Sequence, residues 1–108
     1  MVGKTFSIIF SQKAKIQMRA IYTYHSQNYS STLGVKIRKG IMAETQKLEK
    51  LPESKPLLPN AENLNFQVRY AKYSSYKIIF RVFPIREQVH ILTIRHDKEI
   101  PEEIIKDL

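Results

Sequence analysis

The sequence predicts an α+β domain of order β-α-α-β-β-β, in which two antiparallel helices pack on a small, mainly antiparallel sheet and a short helix closes the chain. Three observations predict it. Two consecutive early segments repeat apolar residues at helical spacing, and later segments alternate apolar and polar residues in pairs. The stretch Tyr76–His96 reads as two β-rich runs joined by a short connection containing Pro84. At 108 residues the chain is expected to be one domain, 1–108, with a single core.

Phe6–Phe10 is an apolar run of strand length and composition. Ser11 stands where a helix cap belongs. Ala14, Met18, Ile21 and His25 or Tyr24 then recur at helical spacing. Ser30, Ser31 and Thr32 offer the next cap, after which Val35, Ile37 or Arg38, Ile41, Leu48 and Leu51 set an apolar stripe on a second helix that Pro52 ends. Gly34 and Gly40 weaken that helix by roughly 1 kcal/mol each relative to alanine. Pro52, Pro56 and Pro59 make the following segment an irregular connection.

Leu64, Phe66, Val68 and Tyr70 alternate with Asn65, Gln67 and Arg69, predicting a half-buried strand, with a turn at Lys72–Ser75. Tyr76–Phe83 and Val89–Arg95 follow as a hairpin. In its first run Ile78, Phe80 and Val82 alternate with Lys77, Ile79 and Arg81, so one face is expected to be buried and the other to carry charge. Pro101, followed by Glu102 and Glu103, starts the terminal helix.

Composition narrows the function classes. An apolar fraction of 43% with 26% charged residues is that of a folded protein, not a disordered one. Without cysteine, thiol catalysis, disulfides and Cys-ligated zinc are excluded, and the cytoplasm is the expected compartment. No apolar run is long enough to span a bilayer. The opening MVGKTFSIIFSQK has too short an apolar stretch for a signal peptide and is expected to be an intact start. The net charge of +8 is unevenly placed: Lys4, Lys13, Lys15, Arg19, Lys36, Arg38 and Lys39 all precede the first acid, Glu44, and acids dominate from Asp97 onward. Such a body suits nucleic acid, an acidic protein partner or a nucleic-acid-bound machine. His25 and His90 have no metal-ligand spacing to acidic neighbours, so neither a metal nor a cofactor is expected. The six tyrosines fit packing better than base stacking, and no phosphate loop or nucleophile elbow is present.

From about Phe6 to His96 the chain resembles the RelE/ParE superfamily of toxins from bacterial toxin–antitoxin modules. Ala14, Met18, Ile21 and Tyr24 follow the family's first-helix rhythm. Leu48, Leu51 and Pro52 match the end of its second helix, and Arg69 lies on its next strand. Tyr76, Lys77, Ile78, Ile79, Phe80, Arg81 and Val82 are similar to its Y-R-I-x-Y-x-V signature, and Val89, Ile91, Leu92, Ile94 and His96 to its last strand.

The resemblance implies one of two targets. RelE-like members cut messenger RNA on the ribosome, which would need Arg69, Lys77 and Arg81 as cations for the phosphate and His96 as acid or base. ParE-like members poison DNA gyrase and lack a recognised catalytic set. The departures favour the ParE-like branch: Lys77 replaces an arginine, and Asp97, Glu99, Glu102 and Glu103 follow the last strand where RelE-like chains carry an arginine and an aromatic residue. A nontoxic binding protein is the third reading. Plainer roles also exist, as a solvated strand face for Lys77 and Arg81, an ion-pair partner for Arg69 and a strand-end histidine for His96. The resemblance further implies a cognate antitoxin in a hetero-oligomer, with contacts expected at Lys36, Arg38, Lys39 and Ile41 and on the outer face of the hairpin.

Overall fold

In the computed structural model, residues 5–108 are described; residues 1–4, with which the expected intact start begins, lie outside them. Strand β1 (Ser7–Phe10) leads into helix α1 (Gln12–Asn28), which is followed by α2 (Ser31–Gln46), β2 (Arg69–Tyr73), β3 (Tyr76–Phe83), β4 (Gln88–His96) and α3 (Pro101–Lys106). The α+β order is the one the sequence predicts. The sheet runs β1-β4-β3-β2, with β1 parallel to β4 and the other pairs antiparallel.

The caps fix the helices to the sheet. Ser11 Oγ accepts from the Ala14 amide at 3.0 Å and donates to the Leu92 carbonyl at 2.9 Å, so one hydroxyl both starts α1 and ties it to β4. Ser30 Oγ accepts from the Leu33 amide at the start of α2. Ala14, Met18 and Ile21 from α1, and Ile37 and Ile41 from α2, then meet Ile78, Phe80, Ile91 and Ile94 in the main core. The glycines of α2 sit at close approaches. A Cβ on Gly34 would lie 2.0 Å from Ser26 Oγ on α1, and one on Gly40 would lie 1.9 Å from the Tyr73 ring on β2. The helical penalty expected for them is the condition for this packing.

The middle of the chain departs from the sequence expectation. Helix α2 ends at Gln46 rather than near Pro52, and a single tighter turn, Lys47–Glu49, swings Leu48 into the core. Leu51 therefore leaves the stripe: it takes a left-handed φ of 51° and is 75% exposed. The proline segment is not wholly irregular, because Pro52–Ser54 forms a 3-10 turn and Leu57 pairs with Arg69. The Leu58 amide donates to the Val68 carbonyl at 2.8 Å. Strand β2 starts at Arg69 rather than Leu64, since Leu64 closes a turn back to the Ala61 carbonyl. It continues through Tyr73, so the turn narrows to Ser74 and Ser75.

The second face of β3 is not simply solvated and charged. Ile79 is fully buried there with Leu58, Val68 and Ile104, forming a smaller core that the proline segment and α3 cover. A bulge opposite Ile79 and Phe80 breaks the β3–β4 register and brings Leu92 to the same side. The sheet is thus covered on both faces, unequally.

Candidate functional site

Cross-strand neighbours share a face, and the register sorts the expected site residues accordingly. Lys77 and Arg81 alternate with buried Ile78 and Phe80 and lie with Ile79 on the face opposite the two long helices. Lys77 Nζ stands 5.3 Å from the Tyr70 ring centre. Arg81 Cζ lies 4.6 Å from the Phe66 ring centre and 4.5 Å from that of Phe83, which Arg86 approaches at 5.4 Å. A guanidinium is attracted to an aromatic face through the ring quadrupole, so each arginine is drawn over a ring. Among the described residues none of Arg69, Lys77, Arg81 and Arg86 forms an ion pair.

Arg69 comes only to the edge of this group. It pairs with Phe80, lies on the same side of β2 as Ala71 and Tyr73, and donates to the Lys55 carbonyl at 2.6 Å. It meets Arg81 in a small cleft of about 210 Å³ that Glu53, Gln67, Val82 and Pro84 complete.

His90 is the residue that sequence reasoning missed here. It pairs across the strands with Arg81, its ring lies 4.4 Å from Phe83, and Nε2 is 3.1 Å from Gln88 Oε1. Burial lowers its pKa, and the charges of Arg86 and Arg81 lower it further, so the imidazole stays neutral at physiological pH. The signal in the sequence was its position on β4, which only the bulged register converts into a place beside Arg81.

His96 goes elsewhere. It pairs with Tyr76, whose ring it meets edge-on at 5.5 Å, and so faces the helix side. Its Nδ1 accepts from the Lys98 amide at 3.1 Å. A cavity of about 520 Å³ opens there, walled by His25, Tyr24, Tyr29, Tyr76 and His96. His25 Nε2 is 2.8 Å from the Tyr76 hydroxyl, while its Nδ1 is buried without a partner. Burial, and then the neighbouring Tyr24, raise the Tyr76 pKa and keep the phenol protonated. Lys77 and Arg81 are therefore brought together on one face, Arg69 touches their edge, and His96 is on the other side of the sheet.

The surface of α2 exposes Lys36, Arg38 and Lys39, with Arg38 Cζ 4.7 Å from the Tyr22 ring centre. Ile41 is a correction: it is fully buried in the main core and offers nothing to a partner docking on that helix. The acidic tail folds back on the body. Asp97 pairs with Lys72, Glu99 with Arg95, and Asp107 with Lys13 at 2.6 Å and Arg95 at 2.8 Å. Burial alone would raise the Asp107 pKa; its bonds to Lys13 and Arg95 outweigh that and hold the carboxyl below its ordinary value. No group of three metal-ligating side chains occurs among the described residues, and none of their helices is long and apolar enough to cross a membrane.

This arrangement can bind anions with unpaired guanidiniums that lie over aromatic rings, and it keeps its strand-end histidine away from them. A family model described as the ParE toxin of type II toxin–antitoxin systems, parDE, matches residues 8–101. Among curated proteins no match is found. The fold is similar to that of a chromosomal ParDE toxin–antitoxin system from P. aeruginosa, at a TM-score of 0.69 and 19% identity over 85% of this chain and 96% of that one. It is also similar to the toxin–antitoxin complex RelBE2 from Mycobacterium tuberculosis (TM-score 0.63, 15% identity, 89% of this chain and 95% of that one). A mutant of the E. coli toxin RelE in the free state gives a TM-score of 0.59 at 12% identity, over 95% of this chain and 93% of that one.

Proposed function

Because the chain belongs to the ParE toxin family of type II toxin–antitoxin systems, we propose that it inhibits growth in the cytoplasm by acting on DNA gyrase and is neutralised by a cognate antitoxin. The observation that carries the choice of target is the division of the would-be ribonuclease set. Cleavage of RNA needs a base, an acid and phosphate-binding cations within hydrogen-bond reach of one another. His96 instead packs on Tyr76, on the face away from Lys77 and Arg81. A toxin that works by binding has no such requirement. The antitoxin is expected to touch the cations Lys36, Arg38 and Lys39, and charge reversal there should weaken its binding.

Ribosome-dependent endoribonuclease activity is the second reading, favoured by one observation: His90, held neutral, sits beside Arg81. Induced expression of the chain alone, with replication and translation scored separately, distinguishes the two. The gyrase reading expects growth arrest with a DNA-damage response and intact mRNA. Codon-linked mRNA cuts that vanish in Arg81→Ala and in His90→Ala or His96→Ala would replace it with the nuclease, and harmless expression would leave a nontoxic binding protein.

A further inference from the structure

We propose that the cavity between the second half of α1 and the β2–β3 turn binds a small organic cation, an alkylated ammonium group held against the rings of Tyr24, Tyr29 and Tyr76 with Glu99 as its counter-charge. The site goes beyond the toxin reading and needs neither its target nor an antitoxin. The protein's own cations lie over Tyr22, Tyr70, Phe66 and Phe83, and among the described residues none lies over Tyr24, Tyr29 or Tyr76. Those three rings line one cavity of about 520 Å³, together with His25 and His96, a volume in the range of small-molecule sites. Neighbouring rings meet at steep angles: 86° for Tyr24 and His25, 69° for Tyr24 and Tyr29, 82° for His25 and Tyr76, and 77° for Tyr76 and His96. Rings set nearly at right angles wall a box around one centre, the arrangement that holds quaternary ammonium groups through the ring quadrupoles. Tyr24 and Tyr29 stay 52% and 66% exposed, so neither ring is spent on the core.

Charge sets this cavity apart from the rest of a basic surface. Arg95 is the one lysine or arginine lining it, and Glu99 takes its Nε while Asp107 takes a terminal nitrogen. An anion therefore meets no uncompensated cation there. Glu99 accepts from Arg95 at Oε2 alone, and its Oε1 has no donor among the described residues, so one carboxylate oxygen is left to face an incoming positive charge. A nucleotide is disfavoured twice over. Its phosphate lacks a free partner, and a base held between two rings needs them parallel and about 7 Å apart, twice a van der Waals contact. The near-parallel pair here, His25 and Tyr29 at 27°, has its centres only 5.9 Å apart.

The test is proton NMR of choline titrated with the whole chain, compared with its neutral isostere in which carbon replaces the quaternary nitrogen. The N-methyl resonance should move upfield, because the methyl groups sit over ring faces, and the isostere should bind more weakly. Tyr24→Leu and Tyr29→Leu, both at exposed positions, should each weaken choline binding roughly fivefold, the scale of one cation–ring contact. Tyr29→Phe keeps the ring and should bind as wild type does. Glu99→Gln should weaken choline binding and leave the isostere unaffected. The isostere comparison uses wild type alone, so it decides even where a variant fails to fold. A short peptide carrying one trimethyllysine separates the sources of the cation: tighter binding than choline places it on a partner protein, weaker binding makes it a free small molecule, and either supports the site. No upfield shift with wild type, equal binding of the isostere, full binding by both leucine variants, or adenosine monophosphate bound more tightly than choline through Tyr29 would each overturn the proposal. The readout needs no growth assay. A toxic chain indifferent to choline sinks the site alone, and a harmless chain that binds choline through Tyr29 sinks the toxin reading alone.

Discussion

Gly40 shows how a single position can carry opposite local and tertiary demands. Within α2 alone, Gly40→Ala should stabilise by about 1 kcal/mol through helix propensity. Against β2, the new methyl meets the Tyr73 ring at 1.9 Å, and displacing that ring costs about 1–3 kcal/mol. We expect Gly40→Ala to lower the unfolding midpoint in the native background and to raise it in Tyr73→Ala, a sign change that a double-mutant cycle reads directly. An increase in both backgrounds would mean that Tyr73 yields freely. The glycine was visible in the sequence as a flaw in a helix, and its purpose was not, because the ring it accommodates is supplied by a residue far along the chain. His25 illustrates the same limit. It keeps the spacing of Ala14, Met18 and Ile21, so the sequence places it on the inner stripe, but its bond to Tyr76 exists only once the sheet has formed.

Elements were legible where periodicity was strong. Helix α1, the β3–β4 hairpin and the proline-started α3 fall where apolar spacing and capping residues put them. The second helix and β2 were misplaced at their ends for one reason: the apolar residues beyond the true boundaries, Leu48, Leu64 and Phe66, serve the two cores from turns instead of from regular structure. Within the hairpin, alternation correctly put Lys77 and Arg81 together and failed at Ile79, whose cover comes from Leu58, Val68 and Ile104. The hairpin also carries a pH response. His90 has a folded pKa below its ordinary value, so as pH falls past about 6.5 the unfolded chain takes up the proton first. Its contribution to stability is complete above that pH and is lost as acidity approaches the lowered pKa. The urea midpoint should therefore fall between pH 7 and pH 5, and the fall should be smaller in His90→Gln. An identical fall in that variant would remove His90 as its source.

Across the whole molecule, charge is sorted by fold. Of the tail acids that stood out in the sequence as a counterweight to a basic body, Asp97, Glu99 and Asp107 are spent on Lys13, Lys72 and Arg95, and none reaches the hairpin end or the outer side of α2. Sequence order could show the asymmetry but not which cations it would quench. The parallel pairing of β1 with β4 has a temporal meaning as well. The first strand made must wait for the last, because β4 alone joins β1 to β3, and the helices have no complete surface to cover until then. A fragment ending at Glu87 should show helical circular dichroism without a cooperative melt, and a sharp transition in that fragment would contradict this order. A ribosome translating the chain thus carries an unfinished product until its final stretch emerges, so a premature stop in the message leaves the first strand with nothing to dock on.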